Sequence, residues 1–348
     1  MRFKMENKSP KVLIVGQGIA GSILAWNLYK SGFQVQIFDN PQKYFKSSIA
    51  AGGLFNPVTG RKLEQTWLAD HLFPFLFAFY PRLEEQLNAR FFYPMPLFRP
   101  FANEEMKTWL LERKNQIHHA YLEWKEDGVF VNQTGWVDVK QMLEAFEHFF
   151  TEKKMLQQKS LDFDKLLFNE EGDAIYEGET YRYIIFCEGF HAQKNNPYFK
   201  DLCFLPAKGE LFHIETSQAN DELIINKNGF LLPLGNQHFK VGATYSWDDL
   251  SQNPRPIAIE ELHKKVIQFH INNYKVKELL VGIRPATQDR RPFIGFIPGK
   301  KVGIFNGFGS KGVSLIPYFA NQFTNHLLFG EELNSEVSIH RFSHLFST

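Results

Sequence analysis

The chain has 348 residues, 44% of them hydrophobic, and a formal net charge of +1. This length suits a large core and about two domains, and the near-zero charge argues against a general polyanion binder, so no DNA partner is expected. Two cysteines without a C-x-x-C spacing exclude a disulfide framework and a zinc or redox motif. We expect a cytoplasmic protein, because neither a signal peptide nor an apolar run long enough to span a bilayer is present.

The first segment predicts a strand, a glycine-rich turn, a helix and a second strand that ends in an acid. The strand Lys11–Val15 runs into Gly16-Gln17-Gly18-Ile19-Ala20-Gly21, and the second strand, Gln34–Phe38, ends in Asp39. Glycines in this pattern allow a tight turn and the close approach of a pyrophosphate to a helix N-terminus. Asp39 would accept hydrogen bonds from ribose hydroxyls. We therefore predict an adenine dinucleotide; an ordinary glycine-rich turn does not explain Asp39.

Later segments alternate between nucleotide-fold features and strand-rich stretches. Small residues at 50–53 would let the backbone approach something large and flat. Apolar residues 72–80 predict a buried helix or packing between domains. Residues 139–150 predict a helix capped by Asp138, and residues 257–273 predict another helix. Residues 205–242 are rich in strand patterns. The order predicts an α/β fold in which a Rossmann-like domain is interleaved with a domain built on a mixed β-sheet.

A second G-x-G-x-x-G lies near the end of the chain, at residues 307–312, and contains Lys311. A second dinucleotide site is one interpretation, but no further strand ending in an acid follows. The alternative is a helix N-terminus directed at the electron-rich edge of a flavin, where the helix dipole and Lys311 would stabilise negative charge. Lys311 as an ordinary surface lysine stays open.

Taken together, these motifs resemble the D-amino-acid oxidase, glycine oxidase and sarcosine oxidase family of FAD-dependent oxidoreductases. The resemblance covers nearly the whole chain and rests on residues 16–21 with Asp39, 50–54, 206–210, 241–244, 282–285, 289–295 and 307–312. Within the family, residues 284–295 and 307–312 are most similar to the FAD domain of a bifunctional tRNA-modifying enzyme. That domain acts on carboxymethylaminomethyl-uridine. The chain is too short to hold that enzyme's methyltransferase domain as well.

The resemblance implies non-covalent FAD and a discontinuous FAD-binding domain at residues 1–78, 135–205 and 280–348. The substrate domain would comprise residues 79–134 and 206–279. The predicted cofactor-binding residues are Gly16, Gln17, Gly18, Ile19, Ala20, Gly21, Asp39, Asn40, Ser47, Ser48, Ala50, Ala51, Gly52, Gly53, Leu54, Cys187, Glu188, Gly189, Gly307, Phe308, Gly309, Ser310, Lys311, Gly312 and Val313.

The resemblance also implies oxidation of a C–N bond in an amino acid or amine that carries a carboxylate. A hydride would pass to flavin N5, the imine would hydrolyse, and O2 or another acceptor would reoxidise the flavin. Arg284 would bind the carboxylate, Tyr245 would line the pocket and Lys311 would stabilise charge. A structural ion pair for Arg284 and simple sheet packing for Tyr245 stay open.

Three other functions remain possible at this point. The same chemistry could act on tRNA, which predicts a basic rim including Arg61, Lys62 and Arg99. A flavin-binding protein without turnover and a nicotinamide-dependent dehydrogenase are the others. No metal site is expected, because His118 and His119 have no partner ligands at metal spacing. The sequence does not indicate an oligomeric state.

Overall fold

The computed structural model describes residues 9–41, 47–117 and 120–346. His118 and His119 lie outside the described residues. The strands are β1 (Lys11–Val15), β2 (Gln34–Asp39), β3 (Leu54–Phe55), β4 (Val58–Thr59), β5 (Glu64–Gln65), β6 (Phe92–Pro94), β7 (Leu97–Pro100), β8 (Leu122–Trp124), β9 (Gly128–Val131), β10 (Gly135–Val137), β11 (Leu156–Gln158), β12 (Leu167–Phe168), β13 (Ala174–Tyr176), β14 (Glu179–Tyr181), β15 (Tyr183–Phe186), β16 (Ala207–Glu215), β17 (Ile224–Asn226), β18 (Phe230–Gly235), β19 (His238–Gly242), β20 (Lys275–Arg284), β21 (Phe293–Phe296) and β22 (Val302–Asn306).

The helices are α1 (Ile19–Lys30), α2 (Ala69–Leu87), α3 (Glu104–Glu112), α4 (Val139–Glu152), α5 (His191–Asn195), α6 (Pro256–Gln268) and α7 (Gly312–Phe329). Two 3₁₀ segments, Phe163–Lys165 and Ile339–Leu345, complete the regular structure. In the described part of the chain, no helix is both long enough and apolar enough to cross a membrane.

The chain divides into two compact units, each assembled from separate stretches of sequence. The first unit comprises residues 1–48, 140–207 and 283–348, and the second comprises residues 49–139 and 208–282. Residues 49–78 and 135–139 lie in the second unit, whereas the sequence prediction grouped them with the FAD-binding stretches. The physical reason is pairing: β3 hydrogen-bonds to β10, and β10 hydrogen-bonds to β6 of the second unit.

The first unit is built on a six-stranded sheet with the order β11-β2-β1-β15-β22-β21. The strands are parallel except for β21, which is antiparallel to β22. Apolar runs such as those of β1 and β15 are expected in a parallel sheet, because both faces are covered. Helices α1 and α7 contact each other. This is the Rossmann-like arrangement that the sequence predicted.

The second unit is built on an eight-stranded mixed sheet with the order β20-β16-β19-β18-β17-β7-β9-β8. The pair β17–β7 is parallel, while β16–β19, β18–β19 and β7–β9 are antiparallel. Helix α6 packs on β19, and its Leu262 and Val266 join a core with Phe212 and Phe239. The predicted mixed α/β class is thus confirmed.

One predicted helix end was wrong. Helix α6 ends at Gln268 rather than continuing to Asn273, and Phe269 follows it as the C-cap. His270 then takes a positive φ of 61°, which interrupts the right-handed helix. Neither glycine nor proline marks this position, so the local sequence offered no stop signal.

Candidate active site

Four neighbouring parallel strands of the first unit, β2, β1, β15 and β22, end at one edge of the sheet. Predicted cofactor residues lie at the end of each strand. Asp39 is the last residue of β2, and residues 16–21, 187–189 and 307–312 follow β1, β15 and β22 respectively. In open sheets of this type, ligands bind in the crevice outside the carboxyl ends of the strands. The structure therefore brings these four separated motifs together.

The three glycines of the first motif differ in what their missing side chains allow. A Cβ at Gly16 would lie 2.7 Å from the carbonyl oxygen of Cys187, and one at Gly21 would lie 1.9 Å from the carbonyl oxygen of Gly16. Packing within the protein thus requires both glycines. A Cβ at Gly18 would meet only Ser48 Oγ, at 3.3 Å, so the backbone at Gly18 stays open to a ligand.

Asp39 is tied directly to the glycine-rich turn. The carboxylate is buried, and its Oδ1 accepts a hydrogen bond from the Gln17 N–H at 2.8 Å. The Gly16 N–H donates to the Phe38 carbonyl, also at 2.8 Å. The acid that the sequence singled out therefore lies beside the turn that precedes α1.

The N-terminus of α1 suits an anionic group. Gly18 is the N-cap and makes no side-chain capping hydrogen bond, while the Ile19 N–H donates to Ser48 Oγ at 3.3 Å. The first N–H groups of a helix have no acceptor within the helix and carry a partial positive charge. An uncapped helix end, an open glycine and a buried carboxylate together fit the pyrophosphate and ribose of an adenine dinucleotide.

The loops after β15 and β22 are joined by Asn306, which sequence reasoning missed. This buried side chain donates from Nδ2 to the Gly189 carbonyl at 2.8 Å, and its Oδ1 accepts from the Gly307 N–H at 2.8 Å. The only sequence signal was an asparagine at the end of an apolar strand before G-x-G. Asn306 fixes the two predicted loops relative to each other.

Cys187 and Glu188 contribute to the same edge in different ways. Burial raises the pKa of the Cys187 thiol well above its ordinary value, and Glu188 adds to this effect. A raised pKa disfavours the thiolate, which is the nucleophilic form of cysteine. Glu188 Oε2 accepts a hydrogen bond from Asn196 Nδ2 at 2.8 Å.

The second glycine-rich turn leads into α7, with Lys311 as the N-cap residue and no side-chain capping bond. Burial lowers the pKa of Lys311, and the nearby charges of Arg290 and Arg291 lower it further. The lysine thus lies among other cations at a positive helix end. This environment favours an anionic ligand group, which would offset the crowding of positive charge.

Arg284 is the last residue of β20 and is half-buried. The Pro285 carbonyl accepts a hydrogen bond from the Gly309 N–H at 3.2 Å, and Ser47 Oγ donates to the carbonyl of Ile283 at 2.5 Å. The backbone on both sides of Arg284 is therefore fastened to predicted cofactor loops of the first unit. Its role in binding a carboxylate stays a prediction.

Residues 50–54 lie in the second unit, where packing accounts for their glycines. A Cβ at Gly52 would lie 2.9 Å from the ring of Phe230, and one at Gly53 would lie 2.0 Å from the Val137 carbonyl oxygen. Packing against Phe230 and Val137 therefore accounts for the absence of side chains at Gly52 and Gly53. Contact of residues 50–54 with the cofactor stays a prediction.

Tyr245 also belongs to the second unit and is 51% exposed. Its ring lies 6.2 Å from that of Trp247, which is itself 57% exposed and which sequence reasoning did not single out. The pair offers a flat aromatic surface. The prediction that Tyr245 lines the substrate pocket is not settled by this geometry.

Two ion pairs, each with one fully buried partner, hold the segment that carries this aromatic pair. Lys208 of β16, fully buried, donates from Nζ to Asp249 Oδ2 at 2.7 Å. Glu210, also fully buried, accepts from Arg255 Nε and Nη2, both at 2.9 Å. Lys208 and Glu210 are two residues apart on one strand and so share a face. In the sequence, Lys208 and Glu210 stood out only as members of the segment 206–210 that carries the family resemblance.

The described residues contain no group of three or more His, Cys, Asp or Glu side chains placed to hold a metal ion.

The family that this geometry indicates is confirmed by comparison with known proteins. The family described as DAO, FAD dependent oxidoreductase, matches residues 11–325. The chain therefore belongs to this family of FAD-dependent oxidoreductases, and its cofactor is FAD.

Individual relatives are distant. Glycine oxidase of Bacillus subtilis (strain 168) is 29% identical over 151 residues, which is 40% of this chain and 40% of that protein. The tRNA 5-methylaminomethyl-2-thiouridine biosynthesis bifunctional protein MnmC of Legionella pneumophila (strain Lens) is 22% identical over 86% of this chain and 47% of its own length. The chain thus spans less than half the length of these two relatives.

The fold agrees with that of a solved glycine oxidase from Geobacillus kaustophilus. The TM-score is 0.77 and the identity is 18%, with 96% of this chain and 98% of that chain covered. At this identity the comparison establishes the fold, including the Rossmann-like unit.

Proposed function

We propose that the protein oxidises a C–N bond of an amino acid or secondary amine that carries a carboxylate. The observation that carries the proposal is the position of Arg284, half-buried and followed by Pro285, whose carbonyl binds the Gly309 N–H. A guanidinium binds a carboxylate through two parallel hydrogen bonds and thereby fixes the neighbouring carbon. Glycine oxidase among the relatives supports a substrate of this class.

The residues of the site would bind and orient, with no acid–base pair required. Arg284 would hold the substrate carboxylate, and residues 16–21 with Asp39 would hold the dinucleotide. When bound, FAD supplies an acceptor for the hydride that leaves the carbon next to the amine nitrogen. The imine left behind would hydrolyse in water, and O2 or another electron acceptor would take up the two electrons.

Lys311 would act at the charged edge of the site. Its position at the N-terminus of α7, and the lowering of its pKa by burial and by Arg290 and Arg291, suit a group that stabilises an added negative charge. Tyr245 would line the substrate pocket. Non-covalent attachment of FAD and a cytoplasmic location belong to this proposal as well.

The experiment is an anaerobic titration of the purified flavoprotein, followed by its visible spectrum. Glycine, sarcosine, proline and D- and L-amino acids are added in turn. Bleaching by one of these amines supports the proposal and identifies the substrate class. A yellow protein that no amine bleaches contradicts the proposal, and one that undermodified tRNA does not bleach either favours flavin binding without turnover.

Arg284→Ala tests the assignment of the carboxylate-binding residue. Loss of a charge-assisted hydrogen-bonding pair, worth about 1.5–3 kcal/mol, should raise KM for carboxylate substrates by about 10- to 100-fold. Arg82→Ala, which removes an exposed arginine of the second unit, is the matched control and should leave KM unchanged. An unchanged KM in Arg284→Ala would rule the assignment out.

A second candidate is oxidation of a modified uridine in tRNA. It is favoured by the tRNA-modifying relative, which aligns with 86% of this chain. Flavin reduction by undermodified tRNA, but by no free amine, would put this candidate first. Arg61 and Arg99, predicted as part of a basic rim, line one cavity of the second unit, whereas Lys62 is not among the described residues that line it.

A further inference from the structure

A cavity of about 310 Å³ lies in the second unit, apart from the glycine-rich edge described above. It is bounded by β7, β9, the start of α3 and the turn at residues 226–228. Leu110 and Val129, both buried, contribute apolar surface. Its polar lining consists of three cations and three amides: Arg61, Arg99, Lys227, Asn103, Asn226 and Asn228.

Arg99 is the most informative of these residues. Burial lowers the pKa of its guanidinium, and its hydrogen bonds go to the carbonyl oxygens of Val58, at 3.5 Å, and Gly60, at 2.7 Å. No carboxylate among the described residues pairs with it. A guanidinium has five N–H donors, so this partly desolvated cation keeps donors for another acceptor.

All charged side chains among the described residues that line the cavity are positive. Among the described residues that line the cavity, none is Asp or Glu, although the chain contains 38 of these residues. Glu104 and Glu105 follow Asn103 in the first turn of α3, but both are exposed and neither belongs to the lining. An anion bound in the cavity would offset the repulsion among these three cations.

We propose that this cavity binds a phosphate group, carried either by a free mononucleotide or by the backbone of an RNA. Three cations suit the charge and the several oxygens of a phosphate, and arginine pairs with two of those oxygens at once. The three asparagines can donate to further oxygens. Apolar surface from Leu110 and Val129 accommodates the non-ionic part of the ligand. This inference is independent of the amine oxidation proposed above.

The test measures binding of UMP, inorganic phosphate, a short single-stranded RNA and succinate by calorimetry. The FAD-saturated protein is used without any amine, so the outcome does not depend on whether amines reduce the flavin. Arg61→Gln and Lys227→Gln remove cations of the cavity. Lys62→Gln, which removes the exposed neighbour of Arg61, is the matched control. Arg99 is left unchanged because it ties the carbonyls at residues 58 and 60.

We expect UMP affinity to fall about tenfold in Arg61→Gln and in Lys227→Gln, and to stay unchanged in Lys62→Gln. If RNA binds and UMP does not, the same pattern assigns the phosphate to RNA. In that case Arg61→Gln should reduce the slope of log affinity against log salt by about 0.7.

Three results would overturn the proposal. They are binding of neither UMP, phosphate nor RNA, an equal loss in Lys62→Gln and Arg61→Gln, and binding of succinate as tight as that of the phosphate ligands. The second result would show that general surface charge causes the loss of affinity. The third would show that the cavity binds carboxylates as well as it binds phosphates.

Discussion

At the scale of single residues, the glycines of the first motif differ in whether packing within the protein requires them. Gly21 has no room for a side chain, because a Cβ there would lie 1.9 Å from the Gly16 carbonyl oxygen. Gly18 has room, since its Cβ would meet only Ser48 Oγ, at 3.3 Å, and a hydroxyl can rotate away. Packing therefore does not require glycine at position 18, and we expect its missing side chain to make room for the dinucleotide.

Gly18→Ala should fold but bind FAD poorly. The added methyl group occupies the space where the pyrophosphate approaches the backbone, so we expect the FAD dissociation constant to rise at least about tenfold. Flavin content by absorbance and a titration of apoprotein with FAD measure the effect. The melting temperature of the apoprotein should match that of wild type, and FAD affinity equal to wild type would contradict the assignment.

At the scale of elements, two side chains of strand β16 hold the connection between β19 and α6 in the second unit. Its Lys208 pairs with Asp249 and its Glu210 pairs with Arg255, so these two residues of the strand hold residues 244–255. Thr244 Oγ1 also donates to the Glu210 carboxylate. The aromatic pair Tyr245 and Trp247 is therefore carried by a segment that is fixed at several points.

Glu210→Gln should loosen this segment and destabilise the protein. Breaking a buried ion pair leaves the other charge without its partner and costs about 3 kcal/mol, at the low end of the usual range because Arg255 retains some solvent. Thermal unfolding and limited proteolysis within residues 244–255 measure the effect. Glu215→Gln, which breaks an exposed pair with Lys277, is the control and should change little. Equal behaviour of the two variants would exclude a special role for Glu210.

The same carboxylate predicts a dependence of stability on acid. Burial raises the pKa of Glu210, but hydrogen bonds from Arg255 and Thr244 outweigh it, and the net pKa lies below the ordinary value of 4.5. Its contribution is thus present above pH 4.5 and is lost as the pH falls through the lowered pKa. Below pH 4.5, wild type should lose stability more steeply than Glu210→Gln. Parallel curves of melting temperature against pH would contradict this.

At the scale of the whole molecule, a chain in two discontinuous units depends on its cofactor for part of its stability. The predicted FAD-binding residues come from stretches as far apart as residues 16 and 313. A ligand that binds only the folded state stabilises it by RT ln(1 + [L]/Kd). We therefore expect FAD to stabilise several distant segments of the chain at once.

Removal of FAD should lower the melting temperature by several degrees. Adding FAD back at about 100 times its dissociation constant should restore about 2.7 kcal/mol of stability. Scanning calorimetry of apoprotein with increasing FAD measures this, and adenosine, which carries no phosphate, is added in place of FAD as the control. Identical melting temperatures with and without FAD would contradict the prediction.

Local sequence was sufficient where structure depends on neighbouring residues. Strand β1 has the predicted bounds Lys11–Val15, and β2 ends at Asp39, as the pattern of apolar residues and the closing acid indicated. The helix after Asp138 begins at Val139, as predicted. The end of α6 was missed because a left-handed His270, rather than a glycine or proline, stops it.

The sequence by itself determined the family, the FAD cofactor, the mixed α/β class and the glycine-rich motifs, because these depend on short stretches with fixed spacing. Only the tertiary structure decided that Asn306 bridges two loops, that Lys208 and Glu210 hold residues 244–255, and that Arg61, Arg99 and Lys227 line one cavity. These contacts join residues far apart in the chain. Strand order and register place them together, and both are set by the packing of the whole unit rather than by any local pattern.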